Sequence, residues 1–325
     1  MRALAFALVA FALTAGCGGS NIGAAPDAAP TGPTGPTAEP SGARPRVFVI
    51  AMENQDPSDI YGDAVNAPFI NGTLLRRYAY ATAFSDALPR LPSEPHYVWM
   101  EAGTNVFSDH TFTSDQKPAA ANSTASGDHL VSQIAAAGGR LEWMSYQEGI
   151  GAPTGACPIE SAGFYHPRHN PFVFFQDVAG NPPSGDAAEC AAHHRDFVAF
   201  AADLGSGNLA DYNFITPDLC HDMHGANGCP TSNKIRAGDD WLAGFLPPLI
   251  DFVNAQGGVI FLTWEESHGT SLVPFIAIGP DVKPGYAGAV PYTHSSMLKT
   301  VEEMLGLPIL PTVASATDLE DLFLP

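Results

Sequence analysis

Three short apolar runs constrain the fold of this chain more than any other feature. Runs of this length, rich in β-branched and aromatic residues, are typical of strands that are buried on both faces. They span residues 46–52, 258–264 and 272–278, and two shorter candidates span 141–146 and 213–216. Helical patterns alternate with these runs at residues 128–137, 191–204, 237–255 and 295–305. We therefore predict an α/β fold, in which a mainly parallel sheet carries helices on both faces.

The N-terminal segment is predicted to lie outside this fold. Arg2 precedes eleven apolar residues at 3–13, too few to span a bilayer, and small residues then lead to Cys17. This pattern predicts a signal peptide over residues 1–16 and an exported protein with a lipid anchor on Cys17. A periplasmic or secreted product without the anchor is the alternative. Residues 17–45 are rich in proline and glycine, as in a tether, so one folded domain is expected over residues 46–325.

Four cysteines lie inside the predicted domain, at 157, 190, 220 and 229. An even number in an exported chain favours two disulfides, which can pair in three ways. We expect Cys220 to pair with Cys229, because this closes a short loop, and Cys157 to pair with Cys190. Buried free thiols are the alternative.

The charge of the chain excludes one class of function. Lysine and arginine number 14 against 34 acidic residues, which gives a formal net charge of −20, and no basic cluster is present. Nucleic-acid binding through charge is therefore not expected. A field of this sign also repels phosphate compounds, so any phosphate chemistry here requires a local cation such as a bound metal.

Polar clusters follow three of the predicted strands directly. They are Glu53-Asn54, the segment 217–224 and the segment 265–268. The carboxyl ends of parallel strands meet at one edge of a sheet, where ligands bind. Carboxylates that meet there repel one another unless a cation lies among them, although the same residues could be solvated loop ends.

The clusters supply a candidate metal site. Its predicted ligands are oxygen donors: Glu53, Asn54, Glu265 and Glu266. Such a set favours Ca²⁺, Mg²⁺ or Mn²⁺, whereas a contribution from His221, His224 or His294 would shift the preference toward Zn²⁺ or iron.

The segment 91–97, LPSEPHY, places Ser93 at the start of a predicted helix. A serine there is typical of an N-cap. A helix N-terminus also binds phosphate, and a neighbouring metal lowers the pKa of a hydroxyl, so Ser93 is a candidate nucleophile as well.

Six ordered blocks of the chain resemble the bacterial phosphoesterase family that contains phospholipases C and secreted acid phosphatases. The blocks are ENQDPSDIYG at 53–62, PSEPHY at 92–97, RHNPF at 168–172, ITPDLCHDMH at 215–224, TWEE at 263–266 and YTHSSML at 292–298. The family is similar in fold to the wider alkaline-phosphatase superfamily. This agrees with the α/β prediction made from the strand pattern.

The resemblance implies a role for each matching residue. Ser93 would be the attacking hydroxyl, and the metal would lie on the four oxygen donors named above. The substrate phosphate would be lined by His169, Asp222 and His224, with His224 as the proton donor to the leaving oxygen. His294 falls in a matching block and would contact substrate or, alternatively, cap the helix that follows.

Three positions depart from the family pattern. Glu265 stands where aspartate is usual, and His96 and His221 stand where asparagine is common. A protonated His96 would hold a phosphate oxygen and bias activity toward acid pH.

The resulting prediction is a metal-dependent phosphoester hydrolase, most directly a phosphomonoesterase of the acid-phosphatase type. The substrate would be a small phosphate ester or a lipid head group. A phosphodiesterase of the phospholipase C type and a non-catalytic lipoprotein with a degenerate ligand site are the alternatives.

Overall fold

A single eight-stranded sheet runs through the computed structural model, which describes residues 45–151 and 155–325. Its strands are β1 Arg46–Met52, β2 Ala79–Ala81, β3 Trp143–Gln147, β4 His194–Asp196, β5 Tyr212–Thr216, β6 Gly258–Trp264, β7 Phe275–Ile278 and β8 Ala287–Gly288. Their order in the sheet is β4-β3-β5-β1-β6-β7-β2-β8. Only β7 runs antiparallel to its neighbours, so the predicted mainly parallel sheet is confirmed.

Helices cover both faces of this sheet. They are α1 Pro57–Ile60, α2 Leu75–Arg77, α3 Ser93–Ala102, α4 Leu130–Ala136, α5 Gln176–Ala179, α6 Ala188–His193, α7 Phe200–Ser206, α8 Lys234–Gln256 and α9 His294–Leu305. Phe48 in β1 contacts Phe252 of α8, whereas Phe214 in β5 contacts Tyr97 of α3. Phe214 is in register with Val49, the neighbour of Phe48, and successive strand residues point to opposite faces. Helices α8 and α3 therefore pack on opposite faces, as predicted.

The predicted helix over 191–204 is wrong. Helix α6 ends at His193, strand β4 follows, and α7 begins only at Phe200. The ring of His194 is buried, and β4 pairs in parallel with β3. Sheet pairing and burial of this ring override the local helical pattern.

The predicted strand over 272–278 is shorter than expected. Strand β7 begins at Phe275, directly after Pro274, which has no N–H to donate to the sheet. It is also antiparallel to β6, an orientation that the apolar run does not reveal.

Both predicted disulfides are confirmed, Cys157–Cys190 and Cys220–Cys229. Disulfides are typical of proteins outside the reducing cytoplasm. The predicted signal peptide over 1–16, the lipid-anchor residue Cys17 and the tether up to residue 44 lie outside the described residues. Within the described part of the chain, no helix is long and apolar enough to cross a membrane.

A buried histidine connects helix α3 with helix α5. His129 precedes α4 and lies 3.1 Å from Glu101 of α3 and 3.0 Å from Asp177 of α5. Burial lowers the pKa of His129, but the hydrogen bonds and charges of Asp177 and Glu101 outweigh burial and raise it to about 9. His129 is therefore an imidazolium held between two carboxylates at neutral pH.

This cluster predicts a pH-dependent stability. A histidine whose pKa is higher in the folded state than its ordinary value of 6.5 contributes its full stabilisation below pH 6.5. That contribution is lost as the pH rises through the folded-state pKa of about 9. The free energy of unfolding, measured by urea denaturation, should therefore fall between these pH values, and H129Q should flatten that fall. H268Q is the control, because the side chain of His268 is exposed and distant from the cluster. A slope unchanged by H129Q would contradict this assignment.

Candidate active site

The residues that follow strands β1, β5 and β6 converge at the carboxyl edge of the sheet. Glu53 follows β1, and its backbone N–H donates to the carbonyl of Asp222 at 2.8 Å. Glu265 follows β6, and its N–H donates to the carbonyl of Met52 at 3.0 Å. The N–H of Asn54 donates to Glu265 Oε2 at 3.0 Å. These bonds bring together three loops that are remote in the chain.

Glu53 lies at the centre of the site and is fully buried. Its Oε1 accepts a hydrogen bond from Tyr97 at 2.6 Å, and its Oε2 accepts one from the Ser93 hydroxyl at 3.3 Å. His169 Nε2 lies 3.4 Å from Glu53 Oε1, and His169 Nδ1 lies 3.8 Å from Asp222 Oδ2. One carboxylate therefore contacts a hydroxyl, a phenol and an imidazole.

Three carboxyl groups are buried together here, and their nearest basic side chain is the imidazole of His169. Burial raises the pKa of Glu53, and burial together with the charge of Glu53 raises the pKa values of Asp222 and Glu265. Among the described residues, no lysine or arginine forms an ion pair with any of the three. Buried carboxylates in this arrangement are stable as anions only with a cation among them.

Unsatisfied polar atoms show that a divalent cation fits this position. Asp222 Oδ2, Glu265 Oε1 and His169 Nε2 are buried without a hydrogen-bond partner. One ligand atom from each of Glu53, His169 and Asp222 lies within 4.8 Å of the others. Buried polar atoms in folded proteins are normally paired, so these atoms form a donor set suited to a metal.

The predicted metal ligands are not all equally close in the structure. Glu53 and Glu265 are adjacent, and Asn54 Nδ2 lies 3.4 Å from Glu53 Oε2. The carboxylate of Glu266 points instead toward His96, at 3.7 Å. His169 and Asp222, which the resemblance assigns to the phosphate pocket, lie beside the same cation position.

Ser93 does not cap helix α3. The helix begins at Ser93 itself, and Pro92 occupies the N-cap position in an extended conformation. The predicted cap is therefore wrong by one residue, because the Ser93 side chain turns to Glu53 instead of the helix N–H groups. Its hydroxyl remains at the helix N-terminus.

His96 is held inside the protein at both ring nitrogens. Nε2 lies 2.9 Å from Asp86 Oδ1, and Nδ1 lies 2.9 Å from the carbonyl of Pro92. Burial lowers the pKa of His96, but the hydrogen bond and charge of Asp86 outweigh it, so the pKa is raised. In this arrangement neither nitrogen is free to hold a phosphate oxygen.

His224 and His294 occupy different environments. His224 is half-buried, and its backbone N–H donates to Asp222 Oδ1 at 2.7 Å. A positive charge on its ring lowers the pKa of Glu53. His294 is buried 3.0 Å from the carbonyl of Trp264, and burial lowers its pKa to about 4. Thr293 caps α9, so the alternative that His294 is the cap is wrong. His294 instead supports the end of β6.

His221 belongs to a neighbouring cluster. Its Nδ1 lies 3.0 Å from Glu148 and 3.3 Å from Asp218, and these hydrogen bonds raise its pKa to about 10. The ion pair connects the loop after β5 to the end of β3. The same loop packs closely on α8: a Cβ at Gly238 would lie 2.5 Å from Met223 Cγ.

Backbone conformation marks the site as well. Among the described residues, the four non-glycine residues with a positive φ all flank it: Asn54, Arg90, Met223 and Ser271. Asn54 follows Glu53, and Met223 follows Asp222. Such conformations are costly for residues other than glycine and cluster at functional sites.

Sequence patterns did not single out two important side chains. Tyr97 lies four residues after Ser93, a spacing that places both on one helix face and could have revealed their shared contact with Glu53. Asp86 lies in no motif. Its importance comes from its contacts with His96 and Ser267. The backbone N–H of Ser267 donates to Asp86 Oδ2 at 3.2 Å.

Solved structures of other proteins share this fold. A phosphonate monoester hydrolase, SpPMH from Silicibacter pomeroyi, superposes with a TM-score of 0.53 over 86% of this chain and 76% of its own, at 11% identity. A protein in the alkaline phosphatase superfamily from Vibrio parahaemolyticus gives 0.53 over 84% and 69%, at 12% identity. The fold is that of the alkaline-phosphatase superfamily.

Sequence comparison then identifies the family. Residues 63–308 match the Phosphoesterase family, so the chain belongs to it and is a phosphoric ester hydrolase. A phosphatidylinositol-3-phosphatase of Mycobacterium tuberculosis is 27% identical over 279 residues, 85% of this chain and 82% of that protein. A probable acid phosphatase of Kluyveromyces lactis is 26% identical over 302 residues, 85% of this chain but only 64% of that protein.

Proposed function

We propose that the protein is a metal-dependent phosphomonoesterase in which Ser93 is the nucleophile. The observation that carries this proposal is the 3.3 Å contact between the Ser93 hydroxyl and Glu53, within a group of buried carboxyl groups that pair with no lysine or arginine among the described residues. Phosphatases among the relatives, including the Mycobacterium tuberculosis protein, support a monoester substrate.

Glu53, Asn54 and Glu265 would hold the metal, with His169 and Asp222 in reach of the same position. Glu266 would join them by turning away from His96. The oxygen-rich set is compatible with Ca²⁺, Mg²⁺ or Mn²⁺, and the imidazole of His169 would favour Zn²⁺. A divalent ion bound there would neutralise charge on the phosphoryl oxygens.

The side chains of this chain would then carry the proton and phosphoryl transfers. The Ser93 hydroxyl attacks phosphorus and passes its proton to Glu53 Oε2, its hydrogen-bond partner. Tyr97 donates to the other oxygen of Glu53 and fixes the carboxylate. As the bond from phosphorus to the leaving oxygen breaks, His224 donates a proton to that oxygen. Water then attacks the phosphoseryl group and gives a proton to His224, while the proton held on Glu53 returns to the Ser93 oxygen as the bond from that oxygen to phosphorus breaks.

The proposal also covers location. Two disulfides support export, as expected for a chain with a signal peptide over residues 1–16. A lipid on Cys17 would hold the domain near a membrane through the tether over residues 17–45. Incorporation of labelled palmitate, lost in C17A, would test the anchor.

Substrate and metal dependence can be tested together. The purified protein should hydrolyse an aryl phosphate faster than the corresponding aryl phosphocholine, and a chelator should reduce turnover at least about 100-fold. Re-addition of one divalent ion, followed by metal analysis of the dialysed protein, should restore it. Faster cleavage of the phosphocholine would favour the phospholipase C alternative. Full turnover in excess chelator would contradict the metal site.

A further inference from the structure

A chamber of about 550 Å³ opens beside the candidate active site. One wall is formed by residues 86–92, which lead directly into Ser93. The other is formed by residues 266–271, which follow Glu265. If Ser93 attacks a phosphate, the chamber therefore offers room for the leaving group.

The acidic groups of this chamber are already engaged. Asp86 contacts His96 at 2.9 Å and accepts from Ser267 at 3.2 Å. Glu266 lies 3.7 Å from the same His96. Both carboxylates on the chamber wall therefore contact the ring of His96.

Of the lysines and arginines in residues 45–151 and 155–325, Arg90 is the only one that lines the chamber. It is exposed, and among the described residues it forms no ion pair and no side-chain hydrogen bond. Its φ is 139°, a conformation that favours glycine, and Ser271 on the opposite wall has a φ of 65°. An arginine therefore stands where the backbone would prefer glycine.

The chain itself limits the distance between Arg90 and the nucleophile. They are three positions apart in the chain, so their Cα atoms are at most about 11 Å apart. A guanidinium at this range can contact a group on the same small substrate whose phosphate is attacked by Ser93. In a chain of net charge −20, it also offsets repulsion of anionic ligands.

We propose that Arg90 binds a second anionic group of the substrate. The preferred substrates are then phosphomonoesters whose leaving group carries a further phosphate or carboxylate. This inference rests on the proposed function, because it places the first phosphate at Ser93. The planar guanidinium donates two parallel hydrogen bonds to such a group, which gives both affinity and orientation.

A matched pair of substrates tests the proposal. Two equivalent phosphates alone would give propane-1,3-diyl bisphosphate twice the kcat/KM of propyl phosphate. For the wild-type protein, the ratio of the two kcat/KM values should exceed this factor of two by at least about tenfold. R90Q should reduce this ratio about tenfold, mainly through KM, and R90K should restore part of it. R76Q is the matched control, because Arg76 is also exposed but lies outside the chamber. Equal thermal melting of all variants would exclude misfolding.

Binding of non-hydrolysable analogues separates this inference from the proposed function. Calorimetric titration should show tighter binding of propane-1,3-bisphosphonate than of propylphosphonate, and R90Q should remove the difference. A wild-type protein that hydrolyses no phosphomonoester would overturn the proposed function, and the calorimetric difference would still decide the role of Arg90. A wild-type ratio of two, or a preference unchanged in R90Q, would overturn the inference.

Discussion

Replacement of Ser93 by alanine should abolish phosphomonoester turnover while leaving the fold intact. The hydroxyl is the attacking group in the proposed reaction, and loss of a serine nucleophile costs on the order of 10⁶-fold in kcat. Ser93 has only one side-chain hydrogen bond, to Glu53 at 3.3 Å, so its removal should change the melting temperature little. Steady-state hydrolysis of an aryl phosphate, with melting followed by circular dichroism, measures both quantities.

S206A is the matched control for this variant. Ser206 lies near the end of α7, where its hydroxyl donates to the carbonyl of Asp203 and is remote from the acidic edge of the sheet. It should retain wild-type turnover. Trapping the wild-type enzyme with labelled substrate at low pH should also yield a phosphoserine, which S93A cannot form. Comparable kcat values for S93A and the wild type would eliminate Ser93 as the nucleophile.

Replacement of Glu53 by glutamine should have the second large effect. Glu53 is in contact with Ser93, Tyr97 and His169, so in the proposed mechanism its charge would serve both the metal and the nucleophile. Loss of supporting partners of a metal site already costs about 10–100-fold in affinity, and loss of a ligand should cost at least about 100-fold. Turnover should fall with metal occupancy.

Stability provides a readout of this variant that does not depend on turnover. Metal bound only by the folded state raises the melting temperature of the wild-type protein, and E53Q should lose most of that increase. In chelator, E53Q should be at least as stable as the wild type, because one of three repelling carboxyl groups is removed.

E302Q is a matched control for E53Q. Glu302 is also a fully buried glutamate with an unpaired oxygen, but it lies in α9 and accepts from the N–H of Leu310. It should retain both turnover and the metal-dependent rise in melting temperature. If E53Q behaved in the same way, Glu53 would not be a metal ligand.

The fold could be predicted where local patterns were long and unbroken. The central strands β1 and β6 were identified with their boundaries, because strands buried on both faces are continuously apolar. Strands β2, β4 and β8 have two or three residues each, and their pairing depends on neighbours rather than on their own composition. The misassigned helix over 191–204 has the same cause.

The site could be predicted only in part for a similar reason. The rule that ligands lie after strand ends identified Glu53, Asp222 and Glu265, and the structure brings all three together. It could not identify Asp86 or Tyr97, whose contacts are set by how α3 packs against the sheet edge. Nor could it show that both nitrogens of His96 are already engaged by the protein.

The close contact between Gly238 and Met223 has a consequence for engineering. Any side chain at position 238 would collide with the loop that carries Asp222 and His224, whereas position 244 on the same helix faces open space. A mutant library aimed at new substrates should keep glycine at 238. The chamber wall at 267–271 belongs to a different loop and excludes the proposed metal ligand Glu266, so diversity is better introduced there.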